Sequence, residues 1–253
     1  MAQRVSIAAA VSAVIGGAYL FASAPTNYST DFHHRNVVQC GPNKITLNTA
    51  SDMQLICNRN ILVATMIRGE AIFDIVHDDS RVVIVKTLDV TIRDVGTHFG
   101  VRIQPDKTSV TVLEGEVALT SPSPAYSFPG DASLSAGHRI TLRRNGSSIS
   151  ADDSSVSEAE ILRSWEWRRG RVAFQDAPLE EVVREANRYR DSPIVISDPT
   201  LASQRVTVEP IRPEYLVSAL DALKVDGDRI QADLHDEAGP PGHWELKRQK
   251  LGK

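Results

Sequence analysis

Between Asn36 and Thr120 apolar residues recur at alternate positions in short runs, and Gly, Pro, Asn or Asp separates the runs. In an extended chain successive side chains point to opposite faces, so alternation buries one face and wets the other. The pattern predicts strands over Asn36–Cys40, Lys44–Asn48, Met53–Cys57, Leu62–Arg68 and Ala71–Val76. It predicts five more over Arg81–Lys86, Val90–Asp94, Thr97–Ile103, Ser109–Leu113 and Glu116–Thr120. Turn residues sit between them, as in Gly41-Pro42-Asn43, Asp78-Asp79-Ser80 and Pro105-Asp106-Lys107. Gly-Glu followed by a small or branched apolar residue occurs twice, at Gly69-Glu70-Ala71 and Gly115-Glu116-Val117. Many short strands without a helix imply a sandwich, a barrel or a stacked β-solenoid, and the repeated Gly-Glu points toward stacked coils.

Beyond Ser121–Pro129, which reads as a loop, a hairpin over 132–142 closes this β domain, set at 36–144. A Gly/Ser/Asp-rich linker is expected over 145–156, and then the rhythm changes. Ser157 and Glu160 form a capping-box pattern for a helix running to Trp165, which Gly170 ends. Asp176 reads as the N-cap of a second helix carrying Leu179, Val182, Val183, Ala186 and Tyr189 on one face. A third has Tyr215, Leu216, Ala219, Leu220 and Leu223 on one face. With strands over Arg171–Phe174, Pro193–Ser197, Arg205–Val208 and Arg229–Leu234, residues 157–234 read as a small α+β module of order β-α-β-β-α-β, with the second and third helices on one sheet face. The tail 235–253, with Gly239-Pro240-Pro241-Gly242 and a basic end, is expected to be disordered.

The N-terminus bears on compartment. Residues 1–4 are a short basic end, and 5–24 carry no charge. A bilayer-spanning helix needs about 20 mostly apolar residues, which this segment just meets. Ala22-Ser23-Ala24 also fits a signal-peptidase site, but Pro25 follows it directly and makes a poor scissile bond. A retained single-pass anchor in the inner membrane is therefore expected, with cleavage and release to the periplasm as the alternative. Arg4 ahead of the span puts the N-terminus inside and the bulk of the chain in the periplasm. A polar linker is expected over 25–35. Cys40 and Cys57 are the only cysteines, and in an oxidising compartment they are a disulfide candidate.

The formal charge of -4 across 253 residues gives no reason to expect a nucleic-acid partner. The chain lacks a nucleophile elbow, a zinc-binding H-E-x-x-H, a P-loop and a dinucleotide fingerprint. The histidines are scattered apart from His33-His34, so no metal site is expected, nor any cofactor. Asp74, Asp89 and Asp94 are carboxylates on the β scaffold, read as turn and strand-edge residues rather than a glycosidase pair. Trp165 and Trp167 read as core, and Arg168, Arg169 and Arg171 as a solvated edge. One bond has intrinsic chemistry. At Gly96-Thr97 the Thr hydroxyl can attack the preceding carbonyl, where no Cβ obstructs it, and shift the chain onto oxygen.

The ordered set Gly69-Glu70-Ala71-Ile72-Phe73, Val95-Gly96-Thr97-His98-Phe99-Gly100 and Val112-Leu113-Glu114-Gly115-Glu116-Val117 resembles the FecR family of bacterial transmembrane sensors. Trp167-Arg168-Arg169-Gly170 through Pro178-Leu179-Glu180-Glu181 to Asn187-Arg188-Tyr189 is similar to that family's secretin/TonB-short-N-terminal-like module. The resemblance implies a non-enzymatic sensor in the inner membrane. Its partners would be the N-terminal signalling domain of a TonB-dependent outer-membrane receptor, and an extracytoplasmic-function sigma factor or a separate anti-sigma protein. Iron-siderophore uptake genes are the implied output. Some members of that family cut themselves at the Gly-Thr of this motif, which makes Gly96-Thr97 the candidate self-cleavage bond. Such proteins carry a cytoplasmic anti-sigma domain before the span, whereas only Met1–Arg4 precede it here, so the sequence departs from the pattern. A secreted assembly module with a secretin-like interaction domain is the alternative reading.

Overall fold

The structure is a computed structural model that describes residues 24–94, 96–120, 132–146, 148–225, 228–235 and 242–249. Most of the expected span and the loop 121–129 lie outside the described residues. Among the described residues no helix is long and apolar enough to cross a membrane. The chain divides into two compact units that interleave in sequence. The first holds 24–29, Val37–Ile45 and Ser51–Ser154, and the second holds Thr30–Asn36, Thr46–Ala50 and the described residues from Ser155 onward.

A 13-stranded sheet dominates the first unit. Its strands are β1 (Thr26–Ser29), β2 (Asn36–Cys40), β3 (Asn43–Leu47), β4 (Asp52–Cys57), β5 (Ile61–Asp74), β6 (Val82–Lys86), β7 (Thr91–Asp94), β8 (His98–Ile103), β9 (Lys107–Glu114), β10 (Glu116–Thr120), β11 (Ala132–Ser135), β12 (His138–Asn145) and β13 (Ser148–Ser155). The spatial order is β11-β10-β7-β6-β5-β8-β9-β12-β13, while β4 and β3 also join β5.

This is a curled sheet rather than a stack of coils. Coils of a solenoid pair in parallel, whereas β7–β10, β8–β9 and β9–β12 are all antiparallel. A tight turn shows why for β8 and β9: Gln104 N–H donates to Lys107 O, so the chain doubles back on itself there.

The two strands expected around Gly69 are one 14-residue strand. At Gly69, with φ +86°, it bends instead of turning back. A Cβ there would lie 2.5 Å from the Ser51 Cα, so only glycine fits. Before the bend β5 pairs with β4 and β6, and after it with β8. The bend thus transfers one strand between two sets of neighbours. The core gathers on the inner face, where Phe73 and Phe99 are fully buried and stack with centroids 5.0 Å apart. Leu62, Met66, Ile92, Leu119 and Leu142 complete it. The expected linkers are also corrected: Thr26–Ser29 pairs with β4, and Ser148–Ser155 extends the sheet beside β12.

In the second unit helix α1 (Glu158–Ser164) starts as expected, with Ser157 Oγ accepting from the Glu160 N–H at 3.3 Å. Strand β14 (Val172–Pro178) leads into α2 (Leu179–Ala186), which buries Leu179, Val182, Val183 and Ala186. Asp176 does not cap α2. It lies in β14 at φ +47° and pairs with Arg205 at 2.9 Å. Then follow β15 (Ile194–Ile196), α3 (Pro199–Ala202), β16 (Arg205–Ile211), α4 (Leu216–Asp221), β17 (Lys224–Val225), β18 (Asp228–His235) and β19 (His243–Gln249). The expected single sheet is split into a two-stranded β14–β16 and a four-stranded β15-β19-β18-β17. Strand β19 replaces part of the tail expected to be disordered. It alternates Trp244, Leu246 and Arg248 with polar neighbours, buries Leu246 fully, and pairs in parallel with β15. Leu179, Leu216, Leu220, Ile230 and Leu246 form the core of this unit.

Candidate functional site

Strand β7 ends at Asp94 and β8 begins at His98, so Gly96 and Thr97 lie in the connection between them. Gly96 adopts φ +130°, a conformation that side-chain-bearing residues avoid. A Cβ on it would lie 2.6 Å from the His77 Cβ and 2.7 Å from its Cα, so packing as well as backbone geometry requires glycine. Thr97 is buried at 5 % exposure, and its carbonyl accepts from the Ile75 N–H at 2.9 Å. Its hydroxyl donates to Asp94 Oδ1, and Asp94 is itself buried. Gly115 closes the other side: a Cβ there would stand 2.6 Å from the Thr97 methyl and 3.0 Å from the Gly96 carbonyl oxygen.

A hydroxyl nucleophile next to a carbonyl carbon, with a carboxylate accepting its proton, is the donor set that an N→O acyl shift requires. Sequence reasoning found Gly96 and Thr97 but missed Asp94 as their partner. The signal was the three-residue spacing from Asp94 to Thr97, which a sharp turn brings within hydrogen-bond reach.

The three carboxylates singled out in the sequence are not brought together. Asp74 contacts His98 Nε2 at 2.9 Å and Lys44 Nζ at 3.2 Å. Burial pushes its carboxyl up, but His98 and Lys44 together hold it below the usual carboxylate range. Asp89 accepts from Thr108 and pairs with Arg144 at 3.0 Å. Asp94 serves Thr97. Each has its own partners, which suits positioning rather than a shared catalytic pair. Of the adjacent histidines, His34 meets Asp31 at 2.8 Å and His33 meets Asp191 at 3.0 Å. Among the described residues no three His, Cys, Asp or Glu side chains are grouped to hold a metal ion.

Trp165 and Trp167 are buried, and Arg168 sits 5.5 Å above the Trp165 ring. Glu166 pairs with Arg169 and Arg171, so most of the basic edge is neutralised locally. Cys40 and Cys57 form a disulfide between the ends of β2 and β4, with Cα atoms 5.8 Å apart. A loop of this size stabilises by about 3 kcal/mol in the chain-entropy account. Arg81, buried, donates to Cys40 Sγ at 2.8 Å and to the Asn58 carbonyl at 2.8 Å. Nothing in the spacing of Arg81 marked it as this neighbour.

No curated protein matches the chain. Two crystal structures of a candidate anti-sigma factor from Parabacteroides distasonis ATCC 8503, at 2.50 Å and 1.65 Å, share its fold with TM-scores of 0.68. They are 18 % identical to it, and the matches cover 90 % and 89 % of this chain and all of theirs. Residues 27–118, which contain the Gly69 bend, the Thr97 turn and Gly115, match the family described as FecR protein. The likeness to the FecR family is therefore shown over that segment, 92 of the chain's 253 residues.

Proposed function

We propose that this chain regulates a sigma factor as part of a cell-surface signalling relay. The observation that carries the proposal is the FecR match over 27–118, supported by a fold shared with a candidate anti-sigma factor across nine-tenths of the chain. In this reading the N-terminal apolar segment anchors the chain in the inner membrane and the two units lie in the periplasm. There they receive the state of a TonB-dependent outer-membrane receptor, and the output is transcription of siderophore-uptake genes by an extracytoplasmic-function sigma factor. The chain turns over no substrate. The test co-expresses the full chain with each such sigma factor of its own genome and a matching promoter reporter. One reporter should change by at least about fivefold, the low end of typical allosteric coupling. No change in any reporter overturns the proposal.

Within that role the Gly96–Thr97 bond is assigned to self-cleavage. The Thr97 Oγ attacks the Gly96 carbonyl carbon as its proton passes to Asp94. The C–N bond then breaks and the amine takes up that proton, leaving an ester between Gly96 and Thr97 Oγ. Water hydrolyses the ester to a Gly96 carboxylate and a free Thr97 N-terminus. Two fragments should appear with the wild type, persist with Thr97→Ser, slow strongly with Asp94→Asn and vanish with Thr97→Ala. A wild type that stays intact in its native membrane sinks this assignment and leaves the regulatory proposal standing.

A further inference from the structure

The second unit contains a cavity of about 460 Å³, a size suited to a small organic ligand or a peptide end. Its lining includes Phe32 and Arg35, Trp167, Tyr189 to Ser192, and Glu214. The lining joins flat apolar surface to charged groups of both signs, Arg35 and Arg190 with Asp191 and Glu214. Phe32 is nearly half exposed, although it is a large apolar ring, and Tyr189 presents a half-buried one.

Two guanidinium groups border this surface. Arg35 is held by the Trp167 carbonyl. Arg190 uses its Nε to reach the Ser192 carbonyl at 3.1 Å. Neither meets a carboxylate among the described residues. Arg190 is half-buried, and burial pulls its guanidinium below the ordinary value, as expected for a cation that is partly desolvated without a counter-ion. The acids of the lining have partners other than the two guanidiniums: Asp191 meets His33 at 3.0 Å, and Glu214 meets Arg212 at 3.8 Å. Two forked cations suit a single carboxylate.

We propose that this cavity binds a monocarboxylate joined to a flat apolar body, with the carboxylate on Arg190 and Arg35 and the body against Phe32 and Tyr189. Such chemistry is supplied by the C-terminus of a peptide ending in an apolar residue, or by a free aromatic acid. The inference does not depend on the sigma-factor role.

The test titrates the full chain by calorimetry, at millimolar concentrations, with N-acetylphenylalanine, with its amide, and with benzoate. The acid should bind at least about tenfold more tightly than the amide, the value of one charge-assisted contact. Arg190→Gln should bring the acid down to the level of the amide without altering the amide. In the wild type, added KCl should weaken the acid alone, which gives a readout independent of how the variant folds. Tighter binding of N-acetylphenylalanine than of benzoate assigns the site to peptide ends, and the reverse order assigns it to free aromatic acids. Equal affinity for acid and amide, no binding of either carboxylate, or an acid titration insensitive to both Arg190→Gln and salt overturns the proposal.

Discussion

The turn at Gly96–Thr97 and the cavity bordered by Arg190 are built on opposite principles. Around the turn every approach is filled: His77 lies against Gly96, Gly115 against the Thr97 methyl, and the Thr97 hydroxyl has a carboxylate beside it. In the cavity space is left open and two cations lack carboxylate partners among the described residues. A filled turn aims its own atoms at one another, which suits chemistry within the chain. An open, charged cavity waits for atoms from outside, which suits recognition. The difference teaches that close packing and incomplete packing in one protein are both informative, for different functions.

The largest loss of stability is expected at the filled side. Phe99→Ala removes a fully buried ring stacked on Phe73 and should cost about 3–5 kcal/mol of stability by denaturant unfolding. A loss below 1 kcal/mol would mean that the sheet relaxes far more easily than its packing implies.

Gly96→Ala puts a methyl into the His77 backbone and forces a side-chain-bearing residue to φ +130°. It should cost about 2–3 kcal/mol, and a near-neutral melting curve would show that the turn is not tightly determined.

A smaller effect is expected from Asp74→Asn, and it depends on pH. Because the folded carboxyl is held below the usual range, it contributes stability above that range and loses it as pH falls through its lowered value. The variant should be less stable than wild type at neutral pH, by under about 1 kcal/mol for a pair near the surface. The gap should close in acid, which parallel urea titrations at several pH values would detect. A gap that widens in acid would contradict the ion-pair account.

The smallest effect on stability belongs to the open side. Arg190→Gln should change unfolding by no more than about 0.5 kcal/mol, since its charge is held by no carboxylate among the described residues. A large loss would move Arg190 from recognition to structure.

Much of the first unit was legible in the sequence, because a half-buried strand carries its pattern locally. Nearly every expected strand from Asn36 to Thr120 has a counterpart. The exceptions are physical. Gly69 reads as a turn, yet Ser51, 18 positions earlier, lies so close that glycine is needed inside a continuous strand. Asp176 reads as a cap because it precedes a proline and an apolar face, but Arg205 and the strand pairing hold it in β14. Gly239-Pro240-Pro241-Gly242 masked the short alternation that follows it in β19.

By itself the sequence determined where most strands and helices form, that two cysteines were available to pair, and which ordered motif resembles a known family. These depend on neighbours along the chain, whose spacing is set by the covalent backbone. Only the tertiary structure decided that the strands curl into one sheet, that Asp94 serves Thr97, that Arg81 lies against the disulfide, and that residues 30–36 and 46–50 join the second unit around its cavity. Those outcomes depend on segments far apart in sequence, and no local pattern encodes which distant surface a side chain will meet.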